Sequence, residues 1–256
     1  MNAFLAIVIL LLCGALPAQL KVRPLPSPCP ENSGQPCLDR GADGRVRLSW
    51  VTRRGGEATL AFSTLEKGAW SKGATIAKGG GWFVNWADVP SISADADGRL
   101  AAHWLERLGE GTYAYGVRIK TSADCGKSWS EPIWLHDDRS EQEHGFCSLH
   151  PVGDGNFRAV WLDGRALAKK PREMQLRTRI IRSDATLGPE SLLDGRVCEC
   201  CPTDLVRDRK GRIVVAYRDR SAADVRDIAF VTRPVSKEGA WSSPAVAAAD
   251  GWERPG

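Results

Sequence analysis

The densest reactive stretch of the chain is Cys198-Glu199-Cys200-Cys201. Two thiolates one residue apart, with a third thiol adjacent, are able to ligate a soft metal. The spacing is not that of a standard zinc site. Disulfides are the preferred reading in an exported chain, and no other cofactor is implied. Two further stretches carry unusual groups. Trp82-Phe83-Val84-Asn85-Trp86-Ala87-Asp88 combines aromatics, an amide and a carboxylate. Asp88 follows Trp86 in a run apolar enough to raise its pKa, which makes it the candidate acid/base. Glu141-Gln142-Glu143-His144 adds two more catalytic candidates, Glu143 and a His144 that a carboxylate can orient. Trp82, Asn85 and Trp86 offer ring faces and donors to a substrate. Arg165, Arg218 and Arg220 are candidate clamps for an anionic group, because a guanidinium fork fits a carboxylate. The alternative is pairing of these arginines with aspartates between structural units. That alternative is preferred for Arg226-Asp227 and stands level with the clamp for Arg165 and Arg218.

An internal repeat supplies the frame. Asp43-Gly44…Trp50, Asp97-Gly98…Trp104, Asp154-Gly155…Trp161 and Lys210-Gly211…Tyr217 align as a turn followed by a short β-prone run ending in an aromatic. By subtraction, both the glycines and the closing aromatics lie 54, 57 and 56 residues apart. A second turn follows each, at Ser63…Gly68-Ala69-Trp70, Ser122 to Trp129, Ser183 to Gly188 and Ser236…Gly239-Ala240-Trp241. A unit of about 55 residues with several short strands is the mark of a propeller blade. The fold class is therefore all-β, a β-propeller of four-stranded antiparallel blades at roughly 37–80, 81–140, 141–195 and 196–250.

Met1 to Ala18 reads as a signal peptide, with an apolar run from Ala3 to Leu12 too short to span a membrane. Export to the periplasm or the extracellular space follows, with lipid anchoring through Cys13 as the alternative. Residues 19–36 read as an irregular Pro-rich segment, and Cys29 and Cys37 as a local disulfide. The chain is 43% hydrophobic and 26% charged, and its net charge of +4 is spread along the sequence. That distribution excludes nucleic acid as the main partner. No transmembrane segment is expected, and oligomeric state is not encoded in any visible pattern.

Ser122-Ala123-Asp124-Cys125-Gly126-Lys127-Ser128-Trp129 suits a hairpin turn. Asp124 can bond backbone N–H groups, Gly126 can take a positive φ, and Trp129 offers a ring to bury. In these residues the chain resembles the Asp-box (BNR) repeat of the sialidase-like β-propellers, over Cys37 to Trp241. The resemblance implies a site at the channel mouth with three arginines, a Tyr nucleophile assisted by Glu, and an acidic Asp. Most of this does not carry over: Gly34, Asp88 and Cys200 stand where the family's first arginine would precede Pro36, Pro90 and Pro202. Tyr113, Tyr115 and Tyr217 offer no evident nucleophile. The family closes its ring with six blades, so two more would need roughly 110 further residues. The chain is expected to be incomplete, a closed four-bladed ring being the alternative.

The resemblance implies an exported propeller that acts on or binds glycans, by hydrolysis of a sialic-acid-like sugar. The alternatives are a non-catalytic glycan- or protein-binding propeller and a metal or redox site at the cysteines. The site is expected where the inner strands of blades two, three and four begin.

Overall fold

The computed structural model describes residues 22–234, 240–249 and 251. The leader read at Met1 to Ala18, with Cys13, lies outside the described residues. So do the turn at Ser236…Gly239 and most of Asp250 to Gly256. Among the described residues all regular structure is β, apart from one 3-10 turn at Gly164–Ala166, and no helix is long and apolar enough to cross a membrane.

Four antiparallel sheets follow in chain order. The first holds β1 (Ser33–Arg40), β2 (Val46–Arg54) and β3 (Glu57–Glu66), with β4 (Ala69–Trp70) and β5 (Ala74–Gly79) sharing the outer edge of β3. The second holds β6 (Ser91–Ala94), β7 (Leu100–Arg107), β8 (Tyr115–Ser122) and β9 (Ile133–Trp134). The third holds β10 (His144–Gly153), β11 (Asn156–Asp163), β12 (Met174–Ile181) and β13 (Ser191–Val197). The fourth holds β14 (Asp204–Arg207), β15 (Arg212–Arg218), β16 (Ile228–Pro234) and β17 (Ala245–Ala248). The first strands lie side by side, β6 against β1 and β10, and β10 against β14. This is the blade arrangement of a β-propeller.

The repeat is explained residue by residue. Gly44, Gly98, Gly155 and Gly211 all have φ between 73° and 82°, the left-handed region that the first hairpin of each blade needs. Trp50, Trp104, Trp161 and Tyr217 all fall on the second strand of their sheet and are buried. Three apolar clusters then fill the space between successive sheets. Leu60 and Phe62 meet Ile92 and Trp104; Val117 and Ile119 meet Phe157 and Trp161; Leu162 and Leu176 meet Val215 and Val231. The core is thus between blades rather than within any one of them, where two half-buried sheet faces meet.

The turn at Ser122 is closed by its own side chains. Ser128 donates its N–H (2.8 Å) and hydroxyl (2.6 Å) to the Asp124 carboxylate, and Gly126, at φ 86°, donates its N–H to Ser122 Oγ at 2.9 Å. Trp129 meets Phe62 of the preceding sheet edge-on at 6.2 Å.

Three expectations need correction. Strand β1 begins at Ser33, inside the segment read as irregular, and a bulge between Gly34 and Cys37 absorbs the misfit. The polar stretches before Pro90 and Pro202 are loops leading into β6 and β14; proline has no N–H to give a ladder. Cys29 and Cys37 are free thiols, not a disulfide.

Candidate functional site

The loop entering β6 turns back on itself because Asn85 Oδ1 accepts the N–H groups of Ala87 and Asp88, each at 2.8 Å. This leaves Trp86 89% exposed and Asp88 3% exposed. The Asp88 carboxylate reaches 58 residues along the chain to accept the Phe146 N–H at 2.6 Å. Phe146 sits at φ 49° in the β10 bulge between Gly145 and Ser148, a left-handed backbone rarely adopted by a bulky residue. The bulge re-aims the N–H toward the acid. Gly145 is required beside it, since a Cβ there would lie 2.1 Å from Asp88 Oδ2 and 2.8 Å from Tyr115 Cε2.

Tyr115 opens β8, and its hydroxyl donates to Glu143 Oε1 at 2.6 Å, while its ring stacks on Phe83 at 4.1 Å. Burial pushes the Asp88 carboxyl up to about 7; the Phe146 bond lowers it and the Glu143 charge raises it again. Burial likewise raises Glu143, against the lowering effect of the Tyr115 bond. It pushes the Tyr115 hydroxyl far up, with Asp88 and Glu143 adding to the effect. Above these groups opens a cavity of about 720 Å³ lined by Phe83, Asn85, Trp86, Tyr113, Tyr115, Glu143, Phe146, Glu199 and Cys200. Among the described residues Asn85 Nδ2 has no hydrogen-bond partner.

Trp82 is placed elsewhere. It stacks on Trp104 at 5.3 Å and lines a neighbouring cleft with Arg53, Arg54, Phe83 and Arg107. Arg107 lies over the Phe83 ring, 5.2 Å from its centre. Phe83 is the wall common to cleft and pocket.

His144 is fully buried between blades two and three and stacks on His136 at 4.0 Å. Its ring nitrogens lie 3.1 Å from Asp138 and 3.3 Å from Asp163. Asp163 is bound twice by Arg165, at 2.6 and 2.7 Å, and by Trp161 Nε1 at 2.8 Å. Burial alone would raise Asp163; the His144 and Arg165 side chains overcome it and hold the carboxyl well below the usual range. Arg165 also pairs with Glu190 at 2.8 Å, so its fork is turned away from the aromatic pocket. Burial, with the neighbouring His144 adding to it, lowers His136 to about 3.

Arg220 binds Glu199 at 2.7 Å and pairs with Glu173. Arg226 pairs with Glu199 at 2.8 Å and Asp224 at 2.9 Å, and Arg218 donates to the Arg226 carbonyl at 2.7 Å. Arg226 is thus engaged in ion pairs with the protein's own carboxylates, Glu199 and Asp224. Cys198, Cys200 and Cys201 are free thiols, which corrects the disulfide reading. Cys198 Sγ lies 3.7 Å from Cys200 Sγ and 3.5 Å from Cys201 Sγ.

The structure thus brings Asn85, Trp86 and Glu143 to one mouth, with Glu199 and Cys200 on its rim, and sets the expected acid Asp88 behind it, on a second cavity shared with Phe146, Cys147 and Asp204. It sets His144 and Arg165 in a separate buried network, and Trp82 in the adjoining cleft. Arg53, Arg54 and Arg107 were not among the residues the sequence singled out, and Tyr115 was read there as no evident nucleophile. The available signal was positional: Arg53, Arg54, Arg107 and Tyr115 all flank the second-to-third strand hairpins, which open at the same end as the polar loops.

No family model matches the chain, and no curated protein matches it. Solved structures do. The chain is similar to the alpha-L-arabinanase of Penicillium chrysogenum complexed with arabinobiose, at TM-score 0.53 and 15% identity over 81% of this chain and 63% of that one. It is similar to the Hadza microbial sialidase Hz136, at 0.54 and 13% over 83% and 46%. The polysaccharide lyase Uly1 follows, at 0.52 and 12% over 86% and 51%. The chain spans less than two thirds of the length of each, and at these identities the likeness is one of fold.

Proposed function

We propose that this propeller binds glycans in the pocket around Trp86. The observation that carries the reading is the pocket itself: Trp86 and Tyr113 stand exposed over a cavity also walled by Phe83 and Phe146. Exposed aromatic rings grouped around one cavity mark a binding surface, and ring faces suit the C–H faces of a sugar. Glu143 supplies an acceptor to hydroxyls, and Asn85, whose Nδ2 is buried and unpaired, lines the same wall. The carbohydrate names carried by the similar folds agree with this choice. Export, from the apolar run at Ala3 to Leu12, would place the chain where glycans are met.

A second reading, hydrolysis of an acidic sugar, draws on Tyr115, Glu143 and Asp88. A Tyr–Glu bond beside an acid that titrates near 7 has the parts of a nucleophile, its base and a proton donor. Arg53, Arg54 and Arg107 across Phe83 would take the sugar's carboxylate. Binding is preferred because Tyr115, though it lines the pocket, is only 2% exposed, and Asp88, 3% exposed, does not line it.

A glycan panel tests both readings with the full chain and Trp86→Ala. Binding that Trp86→Ala lowers by tenfold or more, without turnover of fluorogenic glycosides, is expected. Turnover of a sialoside that Asp88→Asn abolishes would move the assignment to the second reading. Binding unaffected by Trp86→Ala and by Tyr113→Ala would end the first.

A further inference from the structure

We propose that Cys198, Cys200 and Cys201 form a three-thiolate site for a thiophilic d10 cation, Zn2+ or Cu+, set in the wall of the aromatic pocket. One sulfur from each residue lies within 4.8 Å of the other two. The two separations from Cys198, 3.7 and 3.5 Å, match those of sulfurs around a shared ion. With metal–sulfur bonds of about 2.3 Å, tetrahedral geometry sets neighbouring sulfurs about 3.8 Å apart. A disulfide requires about 2.05 Å, so each pair would have to close by more than an ångström.

The backbone holds this geometry. Val197 bridges to Asp219, and the Cys198 N–H donates to the Arg218 carbonyl at 3.0 Å, which pins the first cysteine at the end of β13. Pro202 and Thr203 fix the other end, where Thr203 Oγ1 donates to the Phe146 carbonyl at 2.8 Å. The intervening turn brings the three sulfurs together, with Cys198 buried and Cys200 exposed.

The surroundings supply charge. Arg226, 2% exposed, donates from Nη1 to Cys198 Sγ at 3.2 Å and to Glu199 at 2.8 Å, and from Nη2 to Asp224 at 2.9 Å. A buried guanidinium on a sulfur favours its thiolate form, the form that ligates. It is also the kind of outer partner that fixes a ligand's orientation. Three thiolates with no imidazole select soft cations over Mg2+ or Ca2+. Cys200 is exposed and lines the pocket, so the ion would have a face open to whatever occupies that pocket. This site does not depend on the glycan reading.

The test uses the full chain, reduced, stripped with a chelator and titrated separately with Zn2+ and with Cu+ under nitrogen. One equivalent bound per chain is expected for at least one of the two, with a sulfur-to-metal charge-transfer band when Cd2+ replaces it. Cys200→Ser, at an exposed position, should fold normally by circular dichroism and lose at least about tenfold in affinity; Arg226→Gln should lose about tenfold as an outer partner. Cys29→Ser/Cys37→Ser should bind as the parent does. Equal metal binding by parent and by Cys198→Ser/Cys200→Ser would overturn the proposal. So would a mass two hydrogens short, mapped to a bond between two of these three sulfurs, in protein isolated without reductant.

Discussion

Asp88 and Asp163 are both buried carboxylates one blade apart, at 3% and 0% exposure, and they are displaced in opposite directions. Asp163 has Arg165, His144 and Trp161 around it, so its charge is answered on every side. Asp88 has one backbone N–H and the negative Glu143 for company, so burial prevails and its proton is retained up to about pH 7. Depth therefore does not decide what a buried acid does; the donors around it do. The saturated network locks blade three together. The unsaturated one lies beside an open pocket, with a raised acid and the buried, unpaired Asn85 amide close behind its wall.

The largest expected effect falls on the saturated side. Asp163→Asn takes a buried carboxylate from Arg165 and His144, which keep only Glu190 and Asp138, and should cost about 3 kcal/mol. Thermal unfolding should fall by about 10 °C, and a smaller loss than that of Asp88→Asn would break the contrast. The next effect is a pH slope. Asp88 has its proton affinity raised by folding, from 3.8 to about 7, so its stabilising contribution is whole below about pH 4 and is lost as pH rises through 7. Asp88→Asn cannot ionise. Chemical denaturation between pH 5 and 8 should show the parent losing stability relative to the variant, by up to a few kcal/mol; parallel curves would contradict an unanswered carboxyl. Tyr115→Phe removes the only donor named on Glu143 and should cost about 1–2 kcal/mol in denaturant unfolding. Carbon-13 titration should then find Glu143 raised further, because the Tyr115 bond lowers it. The smallest effect on stability belongs to Trp86→Ala, within about 0.5 kcal/mol by the same denaturant curves. Its ring is 89% exposed and holds nothing in place.

The blades were legible because a propeller repeats its cheapest local solution. A Gly at positive φ and a closing aromatic are needed once per blade, and they recur at 54, 57 and 56 residues. Asp88 was legible as a raised acid from the apolar run before it, and Asn85, Trp86 and Glu143 from their place in the repeat. What was hidden is pairing across blades. Tyr115 meets Glu143 over 28 residues, and Asp88 meets the Phe146 N–H over 58; neither is a local spacing that a pattern can show. Arg165 reads the same whether it faces a substrate or Glu190, and only the turn at Gly164 decides which. The cysteines read as a disulfide because spacing says nothing about the distance between sulfurs.

The division of the apolar interior into three wedges sets how the molecule breathes. The second and third sheets each border two wedges, whereas the first and fourth border one among the described residues. Opening a wedge strips one side of two sheets and leaves the rest zipped. Amide hydrogens of β7, β8, β11 and β12 should therefore exchange with solvent last, and those of β17, exposed along its whole length, first. Exchange would then trace a gradient along the chain instead of one global lifetime, as in arrays whose units speak only to their neighbours.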